Sequence, residues 1–494
     1  MTLHSHIFQV VVAALALVCG GAALDALVHP RPRHGLRSVP GLAINAGVLL
    51  GVFGAILALC GNPLVACALS LGLGALFTVA SNAKNTMLGE PLLFSDLALI
   101  GAVFRHPQFY LSAVAPWQRA VASLVALALV ALLCLLFRAD GVMHLAGLAL
   151  ALGAAAMLAI LQGSPAFRAI AATPDPHGDV ARHGLVPVLL LYWRRWRDTR
   201  DPPPCPASGR PARDDAPELV VVIQCESFAD PADLFDDAAL ALPGLDAARG
   251  LAWQHGRLHV SGFGAYTMRT EYGVLFGREE AEMGFRRFDP FLTAQGEGSW
   301  ALPARLRPAG WDSAFLHPHD MRFYGRDRIM PAGGFARLVG ETHFAPPAPD
   351  QGRYVTDAAM TDVILDTLQA ASAPTLLYAV TIENHGPWAG DGQEELVPGY
   401  MRLVRNSDAM LARLADGIAA LARQRGKPAA LVFFGDHCPS IPGATTPAGK
   451  RHTPFVIMRF DDAGQPMRGD DTAADLTPAG LHHAILDMML KPAR

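Results

Sequence analysis

Hydrophobic residues are concentrated in the first third of the chain, where they form five long, nearly uninterrupted runs. These runs cover residues 7–24, 41–60, 63–80, 120–137 and 141–161. A helix needs about 20 apolar residues to cross a bilayer. The pattern therefore predicts an N-terminal α-helical transmembrane bundle of about five spans over residues 1–162. Buried helices of a soluble bundle are the alternative. A cleaved signal peptide is a poor match, because the first run is long, weakly basic at its start and followed by more spans.

Two polar segments interrupt or follow these runs. Residues 81–101, SNAKNTMLGEPLLFSDLALIG, are amphipathic, which suits either an interfacial loop or a lip that handles a lipid headgroup. Residues 163–217 include DPPPCPASGRPARDDAP, which is rich in proline and charge. Such a composition resists packing, so we expect a tether between two domains.

From residue 218 to residue 494 short apolar runs alternate with amphipathic, helix-like segments. The runs are ELVVVIQ, SAFLHP, TLLYAVTI, AALVFFG and TPFVIMRF. Continuous apolar strands separated by helices are typical of a parallel sheet covered on both faces. The sequence thus predicts a C-terminal α/β domain with a central, mainly parallel sheet.

Polar residues follow four of these five runs directly. They are Glu226 and Ser227 after the first, His317, His319 and Asp320 after the second, Glu383, Asn384 and His385 after the third, and Asp436 and His437 after the fourth. Ligands of open parallel sheets bind beyond the carboxyl ends of the strands. We therefore expect these side chains at one edge, with Asp436 and His437 as metal ligands. Mixed oxygen and imidazole donors suit Mn²⁺, Mg²⁺ or Zn²⁺.

A candidate nucleophile lies in HVSGFGAYTMRTEYGVLFG, residues 259–277. Thr267 follows a glycine-rich stretch and precedes a helix-like run, so its hydroxyl would lie at a helix N-terminus, which favours anions. The alternative is an ordinary capping role that Thr267 shares with Thr270.

Composition argues against nucleic acid as a partner but does not identify the cellular compartment. The chain has 51% hydrophobic and 17% charged residues and a net charge of −4, which provides no basic field for nucleic acid. Its seven cysteines show neither metal-type spacing nor a disulfide framework. We expect Cys225 and Cys438, although they neighbour candidate ligands, to be core residues.

The motifs CESF, AYTMRTEYGVLFG, FLHPHDMRFYGRD, TIENHGPW and FFGDH together resemble the lipoteichoic acid synthase and phosphoglycerol transferase family. These proteins are membrane-anchored members of the alkaline phosphatase/sulfatase superfamily. The five-span anchor, the NTMLGEPLLFSDL loop and the tethered α/β domain match that family as well, so the resemblance covers most of the chain.

The resemblance implies a role for each matching residue. The metal ligands would be Glu226, Thr267, Asp436 and His437, with Thr267 also the nucleophile; the substrate-binding residues would be His317, Arg326, His385, Tyr324 and Ser440. Three positions depart from the lipoteichoic acid synthases. Tyr324-Gly325-Arg326 replaces Trp-Asn-Arg, Tyr266 replaces a lysine, and Ser440 only approximates the serine that follows GDH. These differences favour a relative with another acceptor.

The implied reaction is a metal-dependent transfer of phosphoglycerol from phosphatidylglycerol to an envelope glycan or polymer through a phospho-threonine. One divalent metal, Mn²⁺ ahead of Mg²⁺ or Zn²⁺, would serve it. The alternatives are phosphoethanolamine transfer by a relative in the same superfamily, and a non-catalytic membrane-anchored protein that binds glycan. The sparse cysteines argue against the first, and the complete set of candidate ligands argues against the second.

The family's catalytic domains work outside the cytoplasmic membrane. The resemblance therefore implies a multi-pass protein of the cell inner (cytoplasmic) membrane with its catalytic domain on the periplasmic, extracytoplasmic side. Arg31, Arg33 and Arg37, which follow the first span, favour the opposite orientation by the positive-inside tendency. We give the resemblance more weight, because a large folded domain can override loop charge.

Overall fold

The computed structural model describes residues 3–32, 35–97, 116–206, 212–348, 351–388, 395–469 and 472–491. The chain divides into two compact units, Met1–Thr199 and Arg200–Arg494. Each unit is built around its own core, and each is described by itself.

In the part of the first unit that the structure describes, the regular secondary structure is α-helical. Its helices are α1 (Leu3–Ala26), α2 (Val39–Cys60), α3 (Pro63–Leu88), α4 (Pro116–Leu136), α5 (Gly141–Gly163), α6 (Pro165–Arg168), α7 (Pro176–His183) and α8 (Leu185–Asp198). Within the described part, α1, α2, α3 and α5 are long and apolar enough to cross a membrane. The fourth predicted span coincides with α4, whose apolar stretch, Ser123–Leu136, is shorter.

Local sequence sets the ends of α2 and α3. Ser38 and Asn62 accept hydrogen bonds from backbone N–H groups of the first turns, and a proline follows each within two residues. Gly61 and Gly89 end the two helices with φ of 62° and 71°, in the left-handed region that glycine tolerates.

Helices α2 and α5 approach each other closely because glycines face each other. A Cβ atom on Gly54 would lie 2.7 Å from the Gly147 carbonyl oxygen, and one on Gly147 would lie 2.3 Å from the Ala58 nitrogen. Such small-residue contacts are the usual way for helices to pack where no water drives association.

The polar segments of this unit take definite structure. Helices α6, α7 and α8 form within the segment predicted as a tether, and residues up to Thr199 belong to the first unit. In the amphipathic segment 81–101, Lys84 Nζ lies 2.5 Å from Asp96 Oδ2 and 3.5 Å from Glu90 Oε2. Residues 98–101 lie outside the described part.

The second unit alternates strands and helices. The strands are β1 (Leu219–Cys225), β2 (Gln254–His259), β3 (Asp312–Leu316), β4 (Arg337–Val339), β5 (Thr375–Val380), β6 (Ala429–Gly435), β7 (His452–Phe460) and β8 (Pro466–Met467). The α-helices are α9 (Pro231–Leu234), α10 (Pro243–Leu251), α11 (Thr267–Phe276), α12 (Glu280–Met283), α13 (Pro290–Thr293), α14 (Leu302–Leu306), α15 (Arg326–Ala332), α16 (Asp357–Gln369), α17 (Leu396–Arg425) and α18 (Pro478–Met489).

These strands form one mixed sheet in the order β2-β7-β6-β1-β5-β3-β4, with β8 paired to β7. Strands β6, β1, β5, β3 and β4 run parallel, whereas β2, β7 and β8 pair antiparallel. The predicted α/β class with a mainly parallel centre is confirmed. The five predicted strands correspond to β1, β3, β5, β6 and β7, but β7 runs antiparallel to β6.

The core lies on both faces of β1 and β6, in which every residue is buried. On one face Leu219, Val221 and Ile223 of β1 share a cluster with apolar residues of α10, α16 and α17. Burial on both faces explains why these strands read as continuous apolar runs. It also makes the parallel strands a rigid base for whatever follows their carboxyl ends.

Candidate metal and phosphoryl-transfer site

Two neighbouring parallel strands deliver the acidic residues of the site. β1 pairs with β6 up to the partners Cys225 and Gly435, so Glu226 and Asp436 leave the sheet side by side. A Cβ atom on Gly435 would lie 1.8 Å from the Phe228 carbonyl oxygen, which means that the loop after β1 passes directly over the end of β6.

Glu226, Asp436 and His437 bring one donor atom each to within 4.8 Å of one another, and all three are buried. His437 Nε2 lies 3.6 Å from both Glu226 Oε1 and Asp436 Oδ2. Among the described residues, Asp436 Oδ2 is buried without a hydrogen-bond partner. Two buried carboxylates beside an imidazole nitrogen, with one oxygen unpaired, fit a divalent cation.

The remaining atoms of these side chains hold their orientation. The backbone N–H groups of Ser227 and His437 donate to Asp436 Oδ1, each at 2.8 Å. His437 Nδ1 lies 3.2 Å from the Cys438 carbonyl oxygen, so it carries the proton and leaves Nε2 as a lone-pair donor. Burial raises the pKa of Asp436 to about 7, and the Glu226 carboxylate acts in the same direction. Burial alone would lower the pKa of His437, but the two carboxylates raise it.

Thr267 is the first residue of α11, and its Oγ1 lies 3.5 Å from His437 Nε2. Tyr266 occupies the N-cap position with φ of 78° and makes no side-chain cap hydrogen bond. Thr270 Oγ1 donates instead to the Asp436 carbonyl oxygen at 2.7 Å. The hydroxyl of Thr267 therefore faces the three ligands rather than capping the helix.

The glycine-rich stretch before Thr267 lies against the segment that follows His437. The Gly264 N–H donates to the Cys438 carbonyl oxygen at 2.8 Å. A Cβ atom on Gly264 would lie 2.3 Å from Ser440 Cβ, which places Ser440 beside this stretch. Cys225 and Cys438 are both buried, as expected of core residues.

The predicted phosphate-binding residues Arg326 and His317 form a buried network. Arg326 Nη1 lies 3.1 Å from His317 Nε2, and His317 Nδ1 lies 3.0 Å from the Val380 carbonyl oxygen. Burial, with the charge of Arg326, lowers the pKa of His317 well below its usual value. The Arg326 guanidinium carbon lies 5.3 Å from the centre of the Tyr324 ring, and burial raises the pKa of the Tyr324 phenol.

The polar residues after β5 do not all join this site. Glu383 accepts from the Asp357 N–H and from Asn406 Nδ2, on another part of the domain. His385 is exposed, and its ring lies 5.6 Å from that of Tyr354. Burial lowers the pKa of His319, and Arg326 and His385 act in the same direction.

Sequence reasoning missed Glu271. This residue is fully buried on α11, and both of its oxygens contact Arg326. The available signal was its position four residues after Thr267, which puts both side chains on one helix face.

The chain belongs to the Sulfatase family, whose model matches residues 218–489, more than half of the chain. This family and the N-terminal apolar helices confirm the resemblance to membrane-anchored members of the alkaline phosphatase/sulfatase superfamily. The superfamily is metal-dependent, and the buried group of Glu226, Asp436 and His437 fits a divalent cation.

The individual proteins that the chain resembles share less than 30% of its sequence. The chain is 29% identical over 476 residues to the capsular polysaccharide biosynthesis protein RkpI of Rhizobium meliloti, covering 90% of this chain and 86% of that protein. The structure of lipooligosaccharide phosphoethanolamine transferase A (EptA) from Neisseria meningitidis aligns with a TM-score of 0.51 at 14% identity, covering 99% of this chain and 95% of EptA. The phosphoglycerol transferase GacH of Streptococcus pyogenes aligns with a TM-score of 0.44 at 17% identity, over 60% of this chain and 78% of that chain.

Proposed function

We propose that this protein is a phosphoglycerol transferase. It would move the glycerol-phosphate headgroup of phosphatidylglycerol to a hydroxyl of an envelope glycan or polymer, through a phosphoester on Thr267. The observation that carries the proposal is the position of Thr267 Oγ1, 3.5 Å from His437 Nε2 at the N-terminus of α11.

In the first step the Thr267 oxygen attacks the phosphorus of the lipid. A bond from Oγ1 to phosphorus forms, the bond from phosphorus to the diacylglycerol oxygen breaks, and the threonine proton leaves with diacylglycerol. In the second step an acceptor hydroxyl displaces Thr267, which regains a proton. A threonine can serve as such a nucleophile when its surroundings ease the loss of its proton.

The chain's own residues supply orientation and charge. Glu226, Asp436 and His437, with Thr267, would hold one divalent cation, for which we propose Mn²⁺. Such an ion polarises phosphoryl oxygens and eases the loss of a proton from a hydroxyl. Arg326 would hold the phosphoryl group, because guanidinium groups pair well with phosphate oxygens. We propose that Tyr324, His317, His385 and Ser440 line the same subsite.

The donor and acceptor follow from different observations. The apolar helices of the first unit would keep the enzyme in contact with a lipid donor. The similarity to a protein named for capsular polysaccharide biosynthesis supports a glycan acceptor. We further propose that the catalytic domain lies on the periplasmic side of the inner membrane, where envelope polymers are modified.

The deciding experiment measures the intact mass of the full chain in detergent after incubation with Mn²⁺ and phosphatidylglycerol. We expect a glycerol-phosphate adduct on the wild type and none on Thr267→Ala. Thr367→Ala, which removes a helical threonine hydroxyl bonded only to the Val363 carbonyl, is the matched control and should keep the adduct.

A second lipid distinguishes the donors. An adduct with phosphatidylethanolamine and none with phosphatidylglycerol would move the assignment to phosphoethanolamine transfer. No adduct with either lipid, on a folded and metal-loaded chain, would contradict the transferase proposal and favour a glycan-binding protein.

A further inference from the structure

Glu271 forms a buried ion pair with the proposed phosphate-binding arginine. Its Oε1 accepts from Arg326 Nε at 3.0 Å and its Oε2 from Nη2 at 2.6 Å. The two residues are 0% and 1% exposed, so water does not screen the pair. This two-point geometry fixes the plane of the guanidinium as well as its position.

The pair also determines which donors of Arg326 remain available. With Nε and Nη2 occupied by Glu271, Nη1 is directed to His317 Nε2 at 3.1 Å. His317 Nδ1 donates to the Val380 carbonyl oxygen, so Nε2 must be the accepting nitrogen. One carboxylate thus orients the arginine and, through it, a neutral imidazole.

The same helix carries Glu271 and the proposed nucleophile. The two residues are four positions apart on α11, so their side chains lie on one face about 6 Å apart along the axis. Arg326 begins α15, and His317 follows β3. Glu271 is therefore the link between the helix of Thr267 and two elements that come later in the chain.

We propose that Glu271 is a positioning residue that holds Arg326, and through it His317, in the orientation that binds the transferred phosphoglycerol group beside Thr267. This inference rests on the proposed function. A bound phosphate would accept a hydrogen bond from the second N–H of Nη1, while His317 keeps the first and Glu271 holds the opposite edge of the guanidinium. Loss of Glu271 would leave a buried, mobile cation that binds phosphate in many orientations.

The test compares two buried carboxylates that pair with arginine. Glu271→Gln keeps the shape but opposes an amide NH₂ to the Nη2 donors, which breaks the two-point contact. Glu297→Gln is the matched control, because Glu297 is 2% exposed and pairs with Arg286 at 2.7 Å and with Arg278 at 3.0 Å, neither of which is a proposed ligand or phosphate-binding residue. Both variants should lower the thermal stability of the full chain in detergent.

Only Glu271→Gln should change the kinetics of diacylglycerol release from phosphatidylglycerol. We expect kcat/KM to fall about 100-fold, mostly through KM, with the bound Mn²⁺ unchanged. Glu271→Asp, which keeps the charge, should recover part of the loss. In a double-mutant cycle, Glu271→Gln should add little to Arg326→Ala, because both changes remove the same oriented group.

If Glu271 had only a structural role, its replacement would lower stability without changing the kinetics. If Glu271→Gln kept kcat/KM within twofold of Glu297→Gln, the proposal would be overturned. If Glu271→Gln failed to fold, Glu271→Asp would decide. This change shortens the side chain and so moves the carboxylate away from Arg326, and unchanged kinetics in that variant would overturn the proposal too.

A separate binding measurement separates this inference from the proposed function. If the wild type gave no turnover, calorimetric titration with sn-glycerol 1-phosphate in the presence of Mn²⁺ would still test Glu271. At least tenfold weaker binding to Glu271→Gln than to Glu297→Gln would support the positioning role without any transferase activity. No binding by the wild type would overturn it, because there would then be no group to position.

Discussion

At the scale of single residues, Gly435 explains why an apolar strand ends in Gly-Asp-His. The position has no room for a side chain, since a Cβ atom would lie 1.8 Å from the Phe228 carbonyl oxygen and 3.1 Å from Thr453 Cβ. The close approach lets the loop after β1 cross the end of β6, which brings Glu226 next to Asp436. Glycine here allows the backbone approach that brings the candidate metal ligands together.

The change Gly435→Ala should therefore separate the two strand ends. We expect a loss of about 1–3 kcal/mol of unfolding free energy, the usual cost of overpacking, together with weaker Mn²⁺ binding. Gly250→Ala is the control, because a Cβ atom there meets no other atom within 4 Å. Thermal unfolding and metal titration of both variants check this; equal metal affinity in the two would contradict it.

Asp357 is a buried acid whose protonation should make stability depend on pH. Its Oδ2 accepts from Ser407 Oγ at 2.6 Å, and Oδ1 has no partner among the described residues. Burial raises its pKa to about 7, and the nearby Glu383 carboxylate acts in the same direction. The folded state thus binds a proton more tightly than the unfolded chain, in which the pKa is about 4.

This difference in pKa determines the direction in which stability changes with pH. The contribution of Asp357 to stability is fully present below pH of about 4 and is lost as the pH rises through about 7. Asp357→Asn should remove this dependence. We expect the variant to gain stability relative to the wild type between pH 5 and pH 8, by roughly 1 kcal/mol or more of unfolding free energy. Its melting temperature relative to the wild type should therefore rise over this pH range.

Asp362→Asn supplies the comparison for that experiment. Asp362 is exposed on the same helix and pairs with Arg413, so its replacement should shift the melting temperature equally at each pH. A parallel pH dependence in the wild type and Asp357→Asn would show that Asp357 does not titrate in this range.

At the scale of elements, burial decides which strands can be predicted from sequence. β1, β5 and β6 are buried on both faces and appear as continuous apolar runs. β2 is an edge strand of mostly polar residues, QHGRLH, and has no such signal. The apolar run of β7 has no direction, so its reversal could not be read from the run itself. The segment between β6 and β7 carries no helix, and this was the available signal, because a parallel crossover usually contains one.

The candidate site, too, could be predicted from the sequence only in part. Strand endings predicted Glu226, Asp436 and His437 as neighbours, because parallel strands share an edge and a register. Glu383 follows β5 in the same way, yet it accepts hydrogen bonds from the Asp357 N–H and from Asn406 Nδ2 in another part of the domain. Side-chain direction after a strand depends on the loop, and a loop's course depends on tertiary contacts that a local pattern does not contain.

Helix packing in the first unit depends on Gly54 and Gly147. A side chain at Gly54 would meet the Ala151 nitrogen at 2.5 Å, so α2 and α5 could not keep their distance. We expect Gly54→Leu to lower the melting temperature in detergent by several degrees. Gly153→Leu on α5, where a Cβ atom meets nothing within 4 Å, should leave it nearly unchanged. A similar loss in both variants would indicate a composition effect rather than close packing.

At the scale of the whole first unit, hydrogen bonds place helix ends on two faces. Face A holds the start of α1, the junction of α2 and α3, the end of α4 and the start of α5. His6 bonds Asp140 at 2.8 Å, Asn62 Nδ2 donates to the Leu136 carbonyl at 3.1 Å, and the Arg138 N–H donates to the Cys60 carbonyl at 3.0 Å. Helices α1 and α5 therefore run in the same direction.

Face B holds the end of α1, the start of α2 and the end of α3. Asn82 Nδ2 donates to the Leu27 carbonyl at 3.0 Å, and Ser38 Oγ lies 2.7 Å from His183 Nδ1. Helix α3 ends at face B, whereas α4 ends and α5 starts at face A. The start of α1 and the end of α5 thus lie on opposite faces.

Arg37 loses its value as an orientation signal for a physical reason. It is 5% exposed, and its guanidinium donates to Asp25 Oδ2 at 2.9 Å and to the Val180 carbonyl at 2.8 Å. A charge neutralised within the fold is not a free loop charge of the kind that the positive-inside tendency counts. The arginine count after α1 therefore argues only weakly against an extracytoplasmic catalytic domain.

Reporter fusions test both the parity and the direction of the spans. With the N-terminus inside, a phosphatase that is active only outside the cytoplasm should be active when fused after Gly89, inactive after Asp140 and active after Ser164. This alternation requires α4 to cross the membrane. Activity after both Gly89 and Asp140 would show that α4 does not cross, and inactivity after Ser164 would place the catalytic domain in the cytoplasm, where a reaction on envelope glycans has no substrate.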